Sequence, residues 1–159
     1  MLAVSTNLSA EQRLNKAVVA IMGHPRYVAL SGVLMVGKRE VRDDVPTACT
    51  NGRDEYYGRA FIDSISDAQL RFVVLHECYH KMYKHLTTWH HLYKKCAMTA
   101  NKACDYVINI QIVDDNDDGF AVGIDGMCID SKYRDWGSQR VFDDIYQQQQ
   151  QDGEGGGNE

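Results

Sequence analysis

Apolar residues along this chain change their spacing several times, and each change marks an element. Leu14, Val18 and Ile21 recur at helical intervals after Ser9, and Gln12 stands three residues beyond that serine. This is a capping-box signature, so residues 9–22 are expected to form a helix that stops at Gly23-His24-Pro25. The stretch "YVALSGVLMVGKREV" (27–41) is aliphatic and β-branched without long helical periodicity. One or two strands with a turn near Gly37-Lys38 are expected there. Pro46 suits the start of an edge strand, and Asn51-Gly52 is a hairpin signal.

A second capping box, Ser66 with Gln69, opens a strongly apolar run through Leu70, Val73, Val74 and Leu75. A long helix over 66–87 follows from it. Residues 97–113 are expected to form another helix, in which Val107, Ile108, Ile110 and Ile112 are apolar. Asn101, Asp105 and Asn109 stand four apart and share one face, an unusual polar line on such a helix. An acidic loop (114–119), a short helix near 138–147 and a polar tail complete the pattern. The tail "QQQQQDGEGGGNE" is low in complexity, and 147–159 are expected to be disordered behind one domain over 1–146.

The length, 159 residues, suits one domain, and a composition 44% apolar and 25% charged is that of a soluble globular chain. No apolar run reaches the roughly 18 residues of a membrane span, and the N-terminal stretch lacks the layout of a secretion signal, so a cytoplasmic setting is expected. Five cysteines, an odd number without a C-x-x-C pair, point to free thiols. Net charge is −5, but the acidic loop and tail hold seven of the 22 acids, leaving the remainder near +2. That balance makes a nucleic-acid partner an unfavoured reading.

The chemistry concentrates in "VVLHECYHKMYKH" (73–85), where His76, Glu77 and His80 fit H-E-x-x-H. Two histidines one helical turn apart can offer ring nitrogens to a single zinc ion, with Glu77 placed to take a proton from a metal-activated water. The structural alternative is a pair of solvent-facing helix histidines beside an ordinary glutamate. Zinc sites that do chemistry usually have a third protein ligand. His85 is the nearest histidine, but on a continuous helix it lies about 140° round from His80, and no Gly or Pro interrupts 80–85. His85, His90 and His91 are expected to be exposed. Asp105, in the middle of the polar line, is the preferred third ligand, with Asn101 and Asn109 supporting the site; His85 stays as the alternative. Tyr106, Tyr133 and Arg134 are options for stabilising an oxyanion.

Several segments together resemble a metallopeptidase domain family found N-terminal to von Willebrand A-like domains in bacteria and alone in phages. The similarity runs over "TACTNGRDEYYGRAFIDSISDAQLRFVVLHECYHKMYKH", "NKACDYVINIQIVD" and "IDSKYRDWGSQRVFDDIY", roughly residues 45–146. The resemblance implies a minimal zincin: an α+β domain in which a small, mostly antiparallel sheet packs on an active-site helix and a second metal-ligand helix. It implies zinc at His76, His80 and Asp105, Glu77 as base, a peptide or protein substrate, and a bacterial or phage-infected host cell. "PTACTNG" (46–52) is then the candidate edge strand for pairing with substrate. No von Willebrand A-like segment follows, and a stand-alone form is expected. The reading from another class is a non-catalytic adaptor in which zinc only stabilises the fold.

Two rival sites are weaker. "DDNDDGFAVGID" places Asp114, Asn116 and Asp118 at calcium-loop positions 1, 3 and 5, Gly119 at 6 and Asp125 at 12; a solvated acidic turn is the simpler reading. "KMYKHLTTWHHLYKK" (81–95) interleaves bases with Tyr83, Trp89 and Tyr93, which could stack on single-stranded nucleic acid. An amphipathic helix with solvated lysines is favoured there.

Overall fold

In the computed structural model, which describes residues 7–154, both capping boxes form as the sequence predicts. Helix α1 (Ala10–Gly23) begins at Ser9, whose hydroxyl accepts from the Gln12 amide while Gln12 reaches back to Ser9. Helix α4 (Asp67–Met82) begins at Ser66 with the same exchange to Gln69. The two helices pack together through Leu14, Val18 and Ile21 on one side and Leu70, Val73 and Val74 on the other. Arg13 locks the junction by donating to Asp67 and to the Ile65 carbonyl, at 2.9 and 2.8 Å.

The segment 27–36 departs from expectation. It forms a 3-10 turn (Val28–Leu30) and a short helix α2 (Ser31–Leu34), with no strand before β1 (Arg39–Arg42). Only some of its apolar side chains turn inward. Tyr27 and Leu34 are buried, whereas Val28, Met35 and Val36 stay exposed. Without a neighbouring strand to pair with, β-branched content cannot hold an extended conformation.

Helix α3 (Arg59–Ser64) follows directly on β3 (Glu55–Gly58), and β2 (Ala48–Thr50) is the edge strand of a three-stranded sheet ordered β1-β3-β2. β2 runs antiparallel to β3, with Ala48 opposite Tyr57 and Thr50 opposite Glu55. β1 runs parallel to β3, so the sheet is mixed and not mostly antiparallel. The reason is connective. Only the β2–β3 link is a tight hairpin, closed by Asn51 accepting from the Arg53 and Asp54 amides and by Gly52 at φ +93°. The chain leaves β1 across the sheet and meets β3 only after the hairpin. Gly58 admits this path, because any Cβ there would collide with the Val45 carbonyl.

Helix α4 does not reach residue 87. It ends at Met82, and α5 (His85–Thr88) and α6 (His90–Lys95) carry the chain to α7 (Ala97–Asp115). α7 packs on α4 through Ile108 and Ile112 in the main core. Ala100 and Ala103, nearer its start, join a second core with Leu92, Tyr133, Val141 and Phe142. That core is closed by α8 (Ser138–Glu154), which continues well into the stretch expected to be disordered. Glutamine has good helix propensity, and the buried first turns of α8 supply the nucleus that the polar stretch extends. Gln149 also accepts from Thr99 at 3.1 Å, and Lys95 lies 4.3 Å over the Tyr146 ring. The remainder of the expected tail, 155–159, lies outside the described residues, as do 1–6. The architecture is α+β, with α4 and α7 side by side beneath the edge strand β2.

Candidate metal centre

The last two turns of α4 bring His76 and His80 onto one face, as an i, i+4 pair must. α7 crosses that face and presents Asp105. His76 Nε2 and His80 Nε2 are 3.0 Å apart, and Asp105 Oδ1 lies 3.2 and 3.0 Å from them. Tetrahedral zinc with ligands at about 2.0–2.1 Å requires ligand atoms about 3.3 Å apart, and the three separations come close to that. Among the described residues these three side chains form the one group of His, Cys, Asp or Glu placed to share an ion.

The rings are aimed by their second nitrogens. The Asn109 amide donates to the Cys128 carbonyl at 3.1 Å, which turns its oxygen towards His76 Nδ1, 2.6 Å away. That oxygen can only accept, so Nδ1 of His76 donates to it, and Nε2 is the nitrogen turned to the shared point. Asn101 donates to Asp105 Oδ2, the oxygen facing away from the histidines, at 3.4 Å. Both asparagines of the polar line thus touch a member of the group. His80 Nδ1 meets His85 Nδ1 at 3.1 Å. His85 is thus buried and not exposed as expected, and it lies beside the group and not within it. It does not point away as a continuous helix would require, because the helix breaks at Lys84, which adopts a left-handed conformation at φ 50° and ψ 45°. The Thr88 hydroxyl donates to the Tyr83 carbonyl and the Thr87 hydroxyl to that of Lys84, and these bonds hold the break without Gly or Pro. The Thr87-Thr88 pair was its one sequence signal.

The electrostatics favour a cation at the shared point. Burial works against the ionised Asp105, but hydrogen bonds from His76 and His80 overcome it and hold the carboxyl at about 2. Burial likewise opposes charge on His76, yet Asp105 and Glu77 together raise it to about 9. Glu77 itself is 5% exposed, and burial lifts its carboxyl to about 7, with His76 opposing and Asp105 reinforcing the rise. The group lies in a cleft of about 430 Å³. The edge strand contributes Thr47 to Thr50 as one wall, with Phe61, Val73, Ile124 and Met127 as apolar lining.

A family model described as "Putative metallopeptidase domain" matches residues 9–159. The chain belongs to that family. No curated protein and no solved structure matches it. Membership points to a hydrolase that uses a metal and acts on peptide or protein.

Other expected sites fall elsewhere. The Tyr133 hydroxyl donates to Asp144 at 2.8 Å inside the second core, and Tyr106 packs against its ring. Arg134 is tied to both oxygens of Asp114 at 2.7 and 2.8 Å. None of the three lines the cleft; the tyrosine that does is Tyr93, which stands out in the sequence only as part of the basic-aromatic stretch 81–95. The calcium reading fails because its oxygens are dispersed. Asp114 holds Arg134, Asp118 holds His24, Asn116 bridges to Tyr27 and Ala121, and Asp125 turns into the metal cleft. The basic-aromatic stretch 81–95 does not present one face either. Lys81 is buried, Lys95 covers α8, and His91 meets Gln139 at 2.8 Å, while His90 lies apart from the metal group.

Proposed function

We propose that this protein is a zinc-dependent peptidase of zincin-like architecture, with His76, His80 and Asp105 as metal ligands and Glu77 as the general base. The observation that carries the reading is the convergence of two imidazole nitrogens and a carboxylate oxygen at 3.0–3.2 Å beside a buried glutamate on the cleft wall. Zinc held there would polarise the scissile carbonyl and acidify a water. Glu77 accepts the proton of that water and passes it to the leaving amine, a role suited to a carboxyl raised towards neutrality. The outer edge of β2, unpaired in the sheet, offers backbone groups to an extended substrate, and the apolar lining receives its side chains. Asn109 keeps His76 turned to the metal while Asn101 steadies the far oxygen of Asp105.

Protein purified without chelators is expected to hold about one zinc per chain and to cleave members of a peptide library. Glu77→Gln should keep the zinc and lower the rate by about 10²–10⁴-fold. Cleavage that survives Glu77→Gln would overturn the mechanism. Full zinc loading with no peptide cut by the wild type would favour a zinc-stabilised adaptor instead.

A further inference from the structure

Two non-glycine residues in the described chain have positive φ, Lys84 and Asp135. Aspartate tolerates the left-handed region through local hydrogen bonding; lysine gains nothing there and bears the steric cost of its Cβ against the backbone. Lys84 stands four residues beyond His80, at the end of the helix that carries the metal group. The strain is held in place by a set of local bonds. Lys84 donates to the Lys81 carbonyl at 3.1 Å, and its own carbonyl accepts from the Thr87 and Thr88 amides at 3.0 and 2.9 Å. The Thr87 and Thr88 hydroxyls add two more, at 3.0 and 3.2 Å.

The break has one large consequence for a side chain. His85 is redirected inward and left 3% exposed. Its ring stacks on Tyr83 at 5.4 Å between centroids and meets His80 edge-on at 5.2 Å. The Tyr83 hydroxyl donates to Gln111 on α7 at 2.7 Å, anchoring the stack to the second helix of the site. His85 Nδ1 ends 3.1 Å from His80 Nδ1.

We infer that His85 is a positioning residue of the metal centre: a neutral imidazole whose Nδ1 accepts the His80 Nδ1 proton, leaving the His80 Nε2 lone pair for the ion. The inference rests on the zinc reading above and adds the group that orients the second histidine, as the Asn109 oxygen orients the first. The two ligand rings are then held from different elements, His76 by α7 and His80 by the turn after α4. A ring left without such an acceptor can rotate and exchange tautomers, and loss of an orienting partner typically weakens metal binding by about 10–100-fold. The left-handed lysine is the cost of delivering His85 to that place, since an unbroken helix carries residue 85 about 140° away from His80.

The test is zinc affinity by chelator competition on the purified chain, with the metal-free melting curve and the visible spectrum of the cobalt(II)-loaded protein as parallel readouts. His85→Ala and His85→Leu are expected to weaken zinc binding by about 10–100-fold and to change the cobalt ligand-field bands. His85→Asn, whose Oδ1 can occupy the position of Nδ1, should recover affinity to within a few-fold of wild type. If His85→Ala does not fold, His85→Leu against His85→Asn carries the comparison, because both fill the space and only one accepts. Equal affinity for those two variants overturns the positioning role and leaves the zinc reading standing. A wild-type chain that takes up no zinc overturns both.

Discussion

Helix α4 carries two buried polar clusters one residue apart, and they are built on opposite plans. Lys81 turns to the sheet side, where Glu55 is fully buried. Glu55 accepts from Lys81 at 2.7 Å, from Arg39 at 2.8 Å and from the Tyr57 hydroxyl at 2.7 Å. Lys81 also donates to the Val36 carbonyl, and Arg39 to that of Leu34. Every charge of this cluster has opposite charge or a carbonyl against it. His80, 100° round the helix, joins His76 and Asp105 in a cluster whose outer atoms are tied by Asn109, His85 and Asn101, while its inner ligand atoms converge on one point. One cluster pairs its charges internally and leaves only the buried Arg39 Nε without a partner; the other turns three ligand atoms to one point. Burial alone therefore does not mark a functional polar group. Convergence of metal-ligating atoms on one point does.

The largest expected effect breaks the closed cluster. Lys81→Met leaves Glu55 buried with less positive charge against it and should destabilise the fold by about 3–5 kcal/mol in denaturant titration. The melting temperature of the variant should still rise with zinc. The open cluster gives the converse. Saturating zinc, at about 1,000 times its dissociation constant, should stabilise the wild type by about 4 kcal/mol. Asp105→Ala should remove that response, and a chelator should then leave its melting curve unchanged.

A pH series sharpens the contrast further. His76 is raised from 6.5 to about 9 in the metal-free fold, so its contribution to stability is complete below 6.5 and is lost as pH rises through 9. Glu77, raised from 4.5 to about 7, acts in the same direction, its contribution disappearing through pH 7. Melting temperature in the presence of a chelator should therefore fall between pH 6 and 9. Zinc replaces the His76 proton, so the loaded protein should show a flatter profile over pH 7–9. The smallest effect concerns the break between the clusters and His85. Lys84→Gly should stabilise the fold by about 1 kcal/mol by relieving the left-handed backbone, with zinc affinity unchanged. A loss of affinity on that substitution would mean that the lysine side chain matters and not the turn.

Much of this arrangement was legible before the fold. Ser9 with Gln12 and Ser66 with Gln69 mark helix starts because a cap is a local exchange of hydrogen bonds. The pairing of His76 with His80, and the alignment of Asn101, Asp105 and Asn109, follow from helical periodicity alone. The failures share a cause. The 27–36 segment looked extended because strand formers were counted without a partner strand. The mostly antiparallel sheet was implied by the family resemblance, and of its two pairings only the β2–β3 hairpin has a sequence signature. The glutamines looked unstructured because the helix that extends through them is anchored further back, at Val141 and Phe142. Tyr133 and Arg134 looked free because Asp144 and Asp114 are distant in the sequence.

What the chain determined by itself was the set of donors and their intervals: two imidazoles a turn apart, a glutamate between them and a carboxylate flanked by amides at four-residue spacing. Backbone geometry within a helix is local, so those intervals transfer directly into shared faces. Only the tertiary structure decided that α7 crosses α4 at the height of His76 and His80, that the Cys128 carbonyl sets the Asn109 amide, and that a lysine turns left-handed to bring His85 in. Each of those depends on groups far apart in sequence, or on packing and local hydrogen bonds that outweigh a backbone preference of about 1–2 kcal/mol.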